Sequence, residues 1–349
     1  MKKFLSILLA VAMMLSVAVL AGCKGGDGAE TTANEGENNN EAPAALKFGM
    51  GVYADYETPV DADGDNNGTG EVVATVAAVL LDGEGKIVKA TVDVADVLVE
   101  WTSEGKAVPA KEYLTKREQG DNYGMVNYGV SDKEWYTQAD NFCNLIVGKK
   151  ASDLKALVIE GDKGNDEVVN AGCTIMIADF VYAIEKAAAN AVDSEANANS
   201  KLAIGVETEV ATFDADETIP GSADIEIYVT AAATADGKVV ASKTDCAVAA
   251  VGFRADGTCT GTTAGISTKI EKGESYGMAA HGQDLNGDGV VKEWGEQAAA
   301  FDAACKGKTA NEIAALVAAD GYYAVEDLQN AGCTMGVSAM VKSAVKAAK

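Results

Sequence analysis

The stretch "EVVATVAAVLLDGEGKIVKATVDVADVLVEW" (71–101) decides the fold class. Two Val-rich runs flank an Asp-Gly-Glu-Gly-Lys segment, and such runs read as antiparallel strands joined by a tight turn. The stretch has a second version further on: "DGEGKIVKATVD" (82–93) is answered by "TADGKVVASKTD" (234–245), 152 residues later. Other pairs follow in the same order. "YGM" occurs at 123–125 and 276–278, and "KEWYTQADNF" (133–142) is answered by "KEWGEQAAAF" (292–301). "VGKKASDLKALV" (147–158) is answered by "KGKTANEIAALV" (306–317), and "NAGCT" stands at both 170–174 and 330–334. A recurrence that keeps its order over this distance marks an internal duplication. The two copies span 46–192 and 200–349, and "NAVDSEANANS" (190–200) has the composition of a linker.

Each copy continues from its hairpin into helical sequence. Ser131 and Glu134 have capping-box spacing, as do Thr309 and Glu312. Trp135, Ala139, Phe142 and Ile146 fall on one helical face, and Trp294, Ala298, Phe301 and Cys305 repeat that stripe. A last, Ala-rich helix is expected to open directly after the Thr of each "NAGCT". Strands followed by helices in each copy predict an α+β fold, with a hairpin-rich sheet and then helices.

The first 23 residues predict a lipoprotein signal peptide. Lys2 and Lys3 precede an apolar run from Phe4 to Leu20, and Leu20-Ala21-Gly22-Cys23 is a lipobox ending. Cys23 is the expected lipidation site, holding the chain to the outer face of a bacterial membrane. Residues 24–45 are polar, acidic and free of aromatics, and read as a disordered tether. The formal net charge of −25 argues against nucleic acid as a partner.

The order of parts resembles the FMN-binding domain family, found in membrane redox complexes (the sodium-pumping NADH:quinone reductase and the Rnf complex) and in extracellular electron-transfer lipoproteins. The matching pieces are the "DGEGKI" and "ADGKV" hairpins, the Gly148-Lys149 and Gly307-Lys308 turns, and Gly172 with Thr174 and Gly332 with Thr334 in "NAGCT". In that family the Thr carries FMN through a phosphoester bond, so the resemblance implies Thr174 and Thr334 as flavin acceptors and a role in extracellular electron transfer. Cys173 and Cys333 stand where the family has Ala, Ala171 and Ala331 replace a Ser, and Val168 and Leu328 hold its Asp position. The other reading of Thr174 and Thr334 is as helix N-caps, each hydroxyl accepting from an end amide. On that reading the protein is a ligand-binding or scaffold lipoprotein that has lost its flavin. Tyr123 and Tyr276, in the two Tyr-Gly-Met segments, are candidates to wall a small-molecule ligand or to meet a redox partner.

"DLNGDGVVKEW" (284–294) supplies a candidate calcium site. Asp284, Asn286 and Asp288 alternate as in the opening of an EF-hand loop, and Glu293 stands near its end. Gly295 occupies the position of the closing bidentate Glu, and the first copy lacks the segment. The "DADGDNNG" loop (61–68) is acidic but reads as solvated surface. Six cysteines remain after Cys23. Cys143–Cys173 and Cys305–Cys333 are possible disulfides, while Cys305 alternatively serves as a small buried apolar residue. The one histidine, His281, has no counterpart in the first copy, and no hydrolase or phosphate-loop motif occurs.

Overall fold

The computed structural model describes residues 44–262, 265–282, 284, 287 and 289–349. The signal peptide with Cys23, and the tether up to residue 43, lie outside them. The fold is α+β, with two four-stranded antiparallel sheets, each followed in the chain by helices. The first sheet comprises β1 (Lys47–Tyr56), β2 (Gly68–Leu81), β3 (Ile87–Trp101) and β4 (Val192–Asp193), in the order β3-β2-β1-β4. The helices α1 (Lys116–Gln119), α2 (Trp135–Leu145), α3 (Asp166–Asn170) and α4 (Ala178–Ala189) lie between β3 and β4. The second sheet has the order β5 (Lys201–Phe213), β6 (Gly221–Ala235), β7 (Lys238–Phe253) and β8 (Cys259–Thr262). It is followed by α5 (Lys269–Lys272), α6 (Met278–His281), α7 (Trp294–Cys305), α8 (Ala310–Ala314), α9 (Glu326–Asn330) and α10 (Ser338–Ala347). His281 thus ends a short helix and is exposed.

Strand alternation sorts the apolar residues into three cores. On β2, Ala77, Val79 and Leu81 meet the helices of their own copy. Val72, Ala74, Val76, Ala78 and Leu80 point the other way, into a core shared with Ile225, Ile227, Val229 and Ala231 of β6. A third core joins the second sheet to α7 and α10. The layers therefore run helix, sheet, sheet, helix, and the two copies meet sheet on sheet.

Their contacts are reciprocal. The Trp101 and Phe253 rings stack at 5.1 Å and 4°, and these residues hold the same place in the two copies. Ala62 N–H donates to Gly257 O at 3.0 Å, and Ala215 N–H donates to Gly105 O at 2.8 Å. Asp61 accepts from Cys259 N–H at 2.7 Å while Asp214 accepts from Ala107 N–H at 2.9 Å. The Asp61 loop is exposed, as expected, and its first residues also join this junction. Lys186 pairs with Glu271 at 2.6 Å and Lys346 with Glu118 at 2.9 Å. Such i-to-j and j-to-i pairing is that of an approximate two-fold axis, as in an isologous dimer.

Two glycines set the last helix of each copy on its sheet. A Cβ on Gly51 would overlap the carbonyl oxygen of Ala183 in α4, and one on Gly205 would overlap that of Ser343 in α10. With the backbones this close, Lys186 Nζ reaches Val52 O at 2.8 Å and Lys346 Nζ reaches Val206 O at 2.6 Å.

Because the two sheets share one core, Trp101→Ala is expected to cost roughly 3–5 kcal/mol. Urea unfolding should remain a single transition by circular dichroism and by fluorescence. A second transition would show that the copies unfold separately. Three carboxylates add a pH dependence. Burial pushes Asp93, Asp245 and Asp302 each up to about 6. Between pH 4 and 6 the folded state then holds protons that the unfolded chain has released, so stability falls as pH rises through that window, by at most about 3 kcal/mol per group. Carboxylates held low, such as Asp216, act in the opposite sense, but only below that window. The urea midpoint should be higher at pH 4.5 than at pH 7, and the triple Asp→Asn variant should flatten the difference.

Candidate functional site

The site is built around the helix that carries "KEW". In α2 and α7 the Trp, Ala and Phe of the stripe are buried, and so are Ile146 and Cys305. The expected Ser131–Glu134 capping box does not form. Glu134 is itself the N-cap, and its carboxylate reaches out of the helix to accept from Met125 N–H at 3.0 Å and Val126 N–H at 3.1 Å. Glu293 does the same at α7, accepting from Met278 N–H at 3.1 Å and Ala279 N–H at 3.2 Å. These bonds clamp each Tyr-Gly-Met segment to the start of its helix. The Thr309–Glu312 box forms as expected.

One turn into the helix stands a residue to which the sequence motifs assigned no part. Gln138 and Gln297 are 1% exposed. Gln138 Oε1 accepts from both Thr174 N–H at 2.8 Å and the Thr174 hydroxyl at 2.9 Å, while its Nε2 donates to Ser131 Oγ at 3.0 Å and Lys133 O at 3.1 Å. Gln297 Oε1 accepts from Thr334 N–H at 2.8 Å and the Thr334 hydroxyl at 3.3 Å, and its Nε2 donates to Lys292 O at 2.9 Å and Met278 Sδ at 3.2 Å. The structure thus joins "NAGCT", "KEWxxQ" and "YGM" through one buried amide in each copy. The shared Gln in "KEWYTQ" and "KEWGEQ" was the available signal.

The role expected for "NAGCT" changes accordingly. It ends a helix instead of starting one. Asn170 and Asn330 close α3 and α9, and Gly172 and Gly332 follow with φ of 92° and 96°. Gly172 N–H donates to Val169 O at 2.9 Å and Cys173 N–H to Val168 O at 3.2 Å, with the same pair at Gly332 and Cys333 in the second copy. This is a Schellman ending, in which the left-handed residue is Gly and an apolar residue after it packs on the last turn. Cys173 and Val168, like Cys333 and Leu328, are buried and take those places. The next helices begin at Ala178 and Ser338 with Ile177 and Val337 as N-caps, so neither Thr174 nor Thr334 is a helix N-cap. Thr174 is exposed, whereas Thr334 is 8% exposed.

Tyr123 and Tyr276 lie against lysines of their own copy. Lys116 Nζ sits 5.3 Å from the Tyr123 ring centre and 5.9 Å from that of Trp135, and pairs with Asp96 at 3.2 Å. Lys269 Nζ sits 5.0 Å from Tyr228, 5.3 Å from Tyr276 and 5.6 Å from Trp294, and pairs with Glu226 at 2.8 Å. Burial opposes the charge of Lys269, but nearby Cys246 and Glu226 outweigh it and hold the pKa above the ordinary lysine value. A cation over aromatic faces is favourable when desolvated. Asp93 and Asp245 each accept from a backbone amide at the start of α1 or α5, at Arg117 and Ile270, both 3.2 Å away.

The remaining candidates are placed as follows. Asp284 Oδ1 accepts from Gly287 N–H at 2.8 Å and Oδ2 from Gly289 N–H at 2.9 Å. With Glu293 clamping Met278, both described carboxylates of the calcium candidate already hold backbone amides. Asn286 and Asp288 lie outside the described residues. All six described cysteines are free thiols, and burial pushes Cys143 up to about 12 and Cys173 to about 11. Among the described residues no helix is long and apolar enough to cross a membrane.

The Gln–Thr bond can be tested in the second copy. Gln297→Ala strands the Thr334 amide and is expected to cost about 1–3 kcal/mol, measurable as a lower urea midpoint. Gln297→Glu keeps the acceptor but sets a carboxylate oxygen against Lys292 O, so it should recover that loss only at low pH, where the protonated carboxyl still donates.

No protein-family model matches the chain, and no solved structure matches it. Among characterised proteins it is 33% identical over 129 residues to a chlorophenol reductase from Desulfitobacterium hafniense. The similarity covers 33% of this chain and 38% of the reductase, so the chain spans about two fifths of the length of the relative it matches.

Proposed function

We propose that this protein is an extracytoplasmic, lipid-anchored binding protein of a redox system, in which two FMN-binding-like repeats have turned the flavin-attachment position into part of the scaffold. The bond from Gln297 to the buried Thr334, repeated between Gln138 and Thr174, carries the reading. A phosphoester needs an accessible hydroxyl, and Thr334 is 8% exposed. A phosphate also gains from the free amides of a helix N-terminus, yet each Thr stands four residues before its helix begins. The residues of the second copy therefore do not fit covalent FMN. The anchor rests on the Leu-Ala-Gly-Cys ending at Cys23, and the redox setting on the partial likeness to a chlorophenol reductase.

One observation favours a second reading for the first copy. Thr174 is exposed, and Lys133 lies against Gly172 beside it, so an acidic group attached there would meet a cation. Protein purified from its own host should be colourless, and its intact mass should equal that of the lipidated chain. A flavin adduct at Thr334 would overturn the proposal, whereas one confined to Thr174 would favour the flavin-carrier reading.

A further inference from the structure

The two copies differ most tellingly on the outer face of the second sheet. There an open hollow of about 700 Å3 lies over β5, β6 and β7 beside the end of α5, with Glu209, Ala211, Asp224 and Ala250 exposed along it. Two rows of side chains cross its floor: Ala211, Asp224 and Ala250 are paired neighbours, as are Glu209, Glu226 and Val248. In the first copy the corresponding β2–β3 pair is Glu71 with Leu98. Asp224 and Ala250 are both shorter, and Ala211 takes the place of Glu57. Equivalent strand positions thus carry larger side chains in one copy and smaller ones beside the hollow in the other.

The charges in the hollow are unevenly used. Glu226 is neutralised by Lys269 at 2.8 Å. Among the described residues, Glu209, Asp224 and the Lys272 ammonium make no side-chain hydrogen bond or ion pair. Two carboxylates against one ammonium leave a single net negative charge above an aliphatic floor of Ala211, Val248 and Ala250. Among the described residues no group of three or more His, Cys, Asp or Glu is placed to hold a metal ion. A volume of this size suits a small organic ligand with an apolar body and a few fixed polar contacts.

We propose that this hollow binds a small organic monocation, a primary amine or guanidinium on an apolar body. The cationic head meets Glu209 and Asp224, and the body lies on Val248 and Ala250. The site shares no residue with the Gln297–Thr334 bond, and it does not depend on whether the protein carries flavin.

Isothermal titration of the full chain with phenethylammonium tests it, with 2-phenylethanol as the neutral isostere and 3-phenylpropionate as the anion. Phenethylammonium is expected to bind at least about tenfold more tightly than either, the worth of one charge-assisted hydrogen bond. Ala250→Leu, which restores the side chain of the first copy, and Asp224→Asn should each weaken it about tenfold or more with the thermal midpoint unchanged. Should Ala250→Leu fail to fold, Asp224→Asn and Glu209→Gln on the exposed face carry the test. Silence toward both phenethylammonium and benzylguanidinium up to about 10 mM, equal binding of the neutral isostere, or binding indifferent to these substitutions overturns the proposal.

Discussion

The apolar face that each sheet turns away from its own helices is the constraint on which the rest depends. Helices cover one side of β1–β3 with Phe142, Phe180 and Ile184, but Val72, Val76 and Leu80 lie on the other. A single copy would leave that side in water. A second sheet of the same kind buries it, and burial of aliphatic area is the dominant favourable term in such a fold. Trp101 and Phe253 stack where the two copies' equivalent positions meet, and the Trp101 indole N–H is satisfied by Gly257 O at 2.8 Å. Two like sheets therefore close one hydrophobic core within one chain.

Once the copies are locked together, equivalent residues settle into equivalent tasks. A buried Asp on the third strand of each sheet accepts from an amide in the first turn of the helix that follows, whose lysine lies over a tyrosine and a tryptophan. A buried Gln holds the Thr of "NAGCT" to the Trp helix. Since these groups are satisfied internally in both copies, they belong to the scaffold. Differences between the copies are where recognition has room to arise: the exposed Thr174 against the buried Thr334, and a hollow at Ala250 where the first copy has Leu98.

Much of this was legible in the residues themselves. Alternating Val and Ala over 71–101 with an Asp-Gly turn yields the hairpin, because strand side chains alternate between faces. Trp135, Ala139, Phe142 and Ile146 yield the buried stripe through helical spacing alone. Local patterns of this kind carry their own geometry. The Ser131–Glu134 spacing misled for the same reason. The spacing permits a capping box, but Glu134 found two amides of a neighbouring loop to satisfy, and a local pattern does not say which distant donors will be near.

The sequence by itself determined the α+β class and the helical stripes, since each rests on periodicities that the chain carries locally. Only the tertiary structure decided what the repeated "NAGCT" is for. Whether Gly172 opens or closes a helix depends on which carbonyls its neighbours' amides reach, and whether Thr174 is free depends on a glutamine 36 residues away. The sheet-on-sheet core likewise required knowing where each sheet's second face would go. Alternation along β2 shows that both faces are apolar, but the identity of the partner that covers the second one is a property of the folded chain.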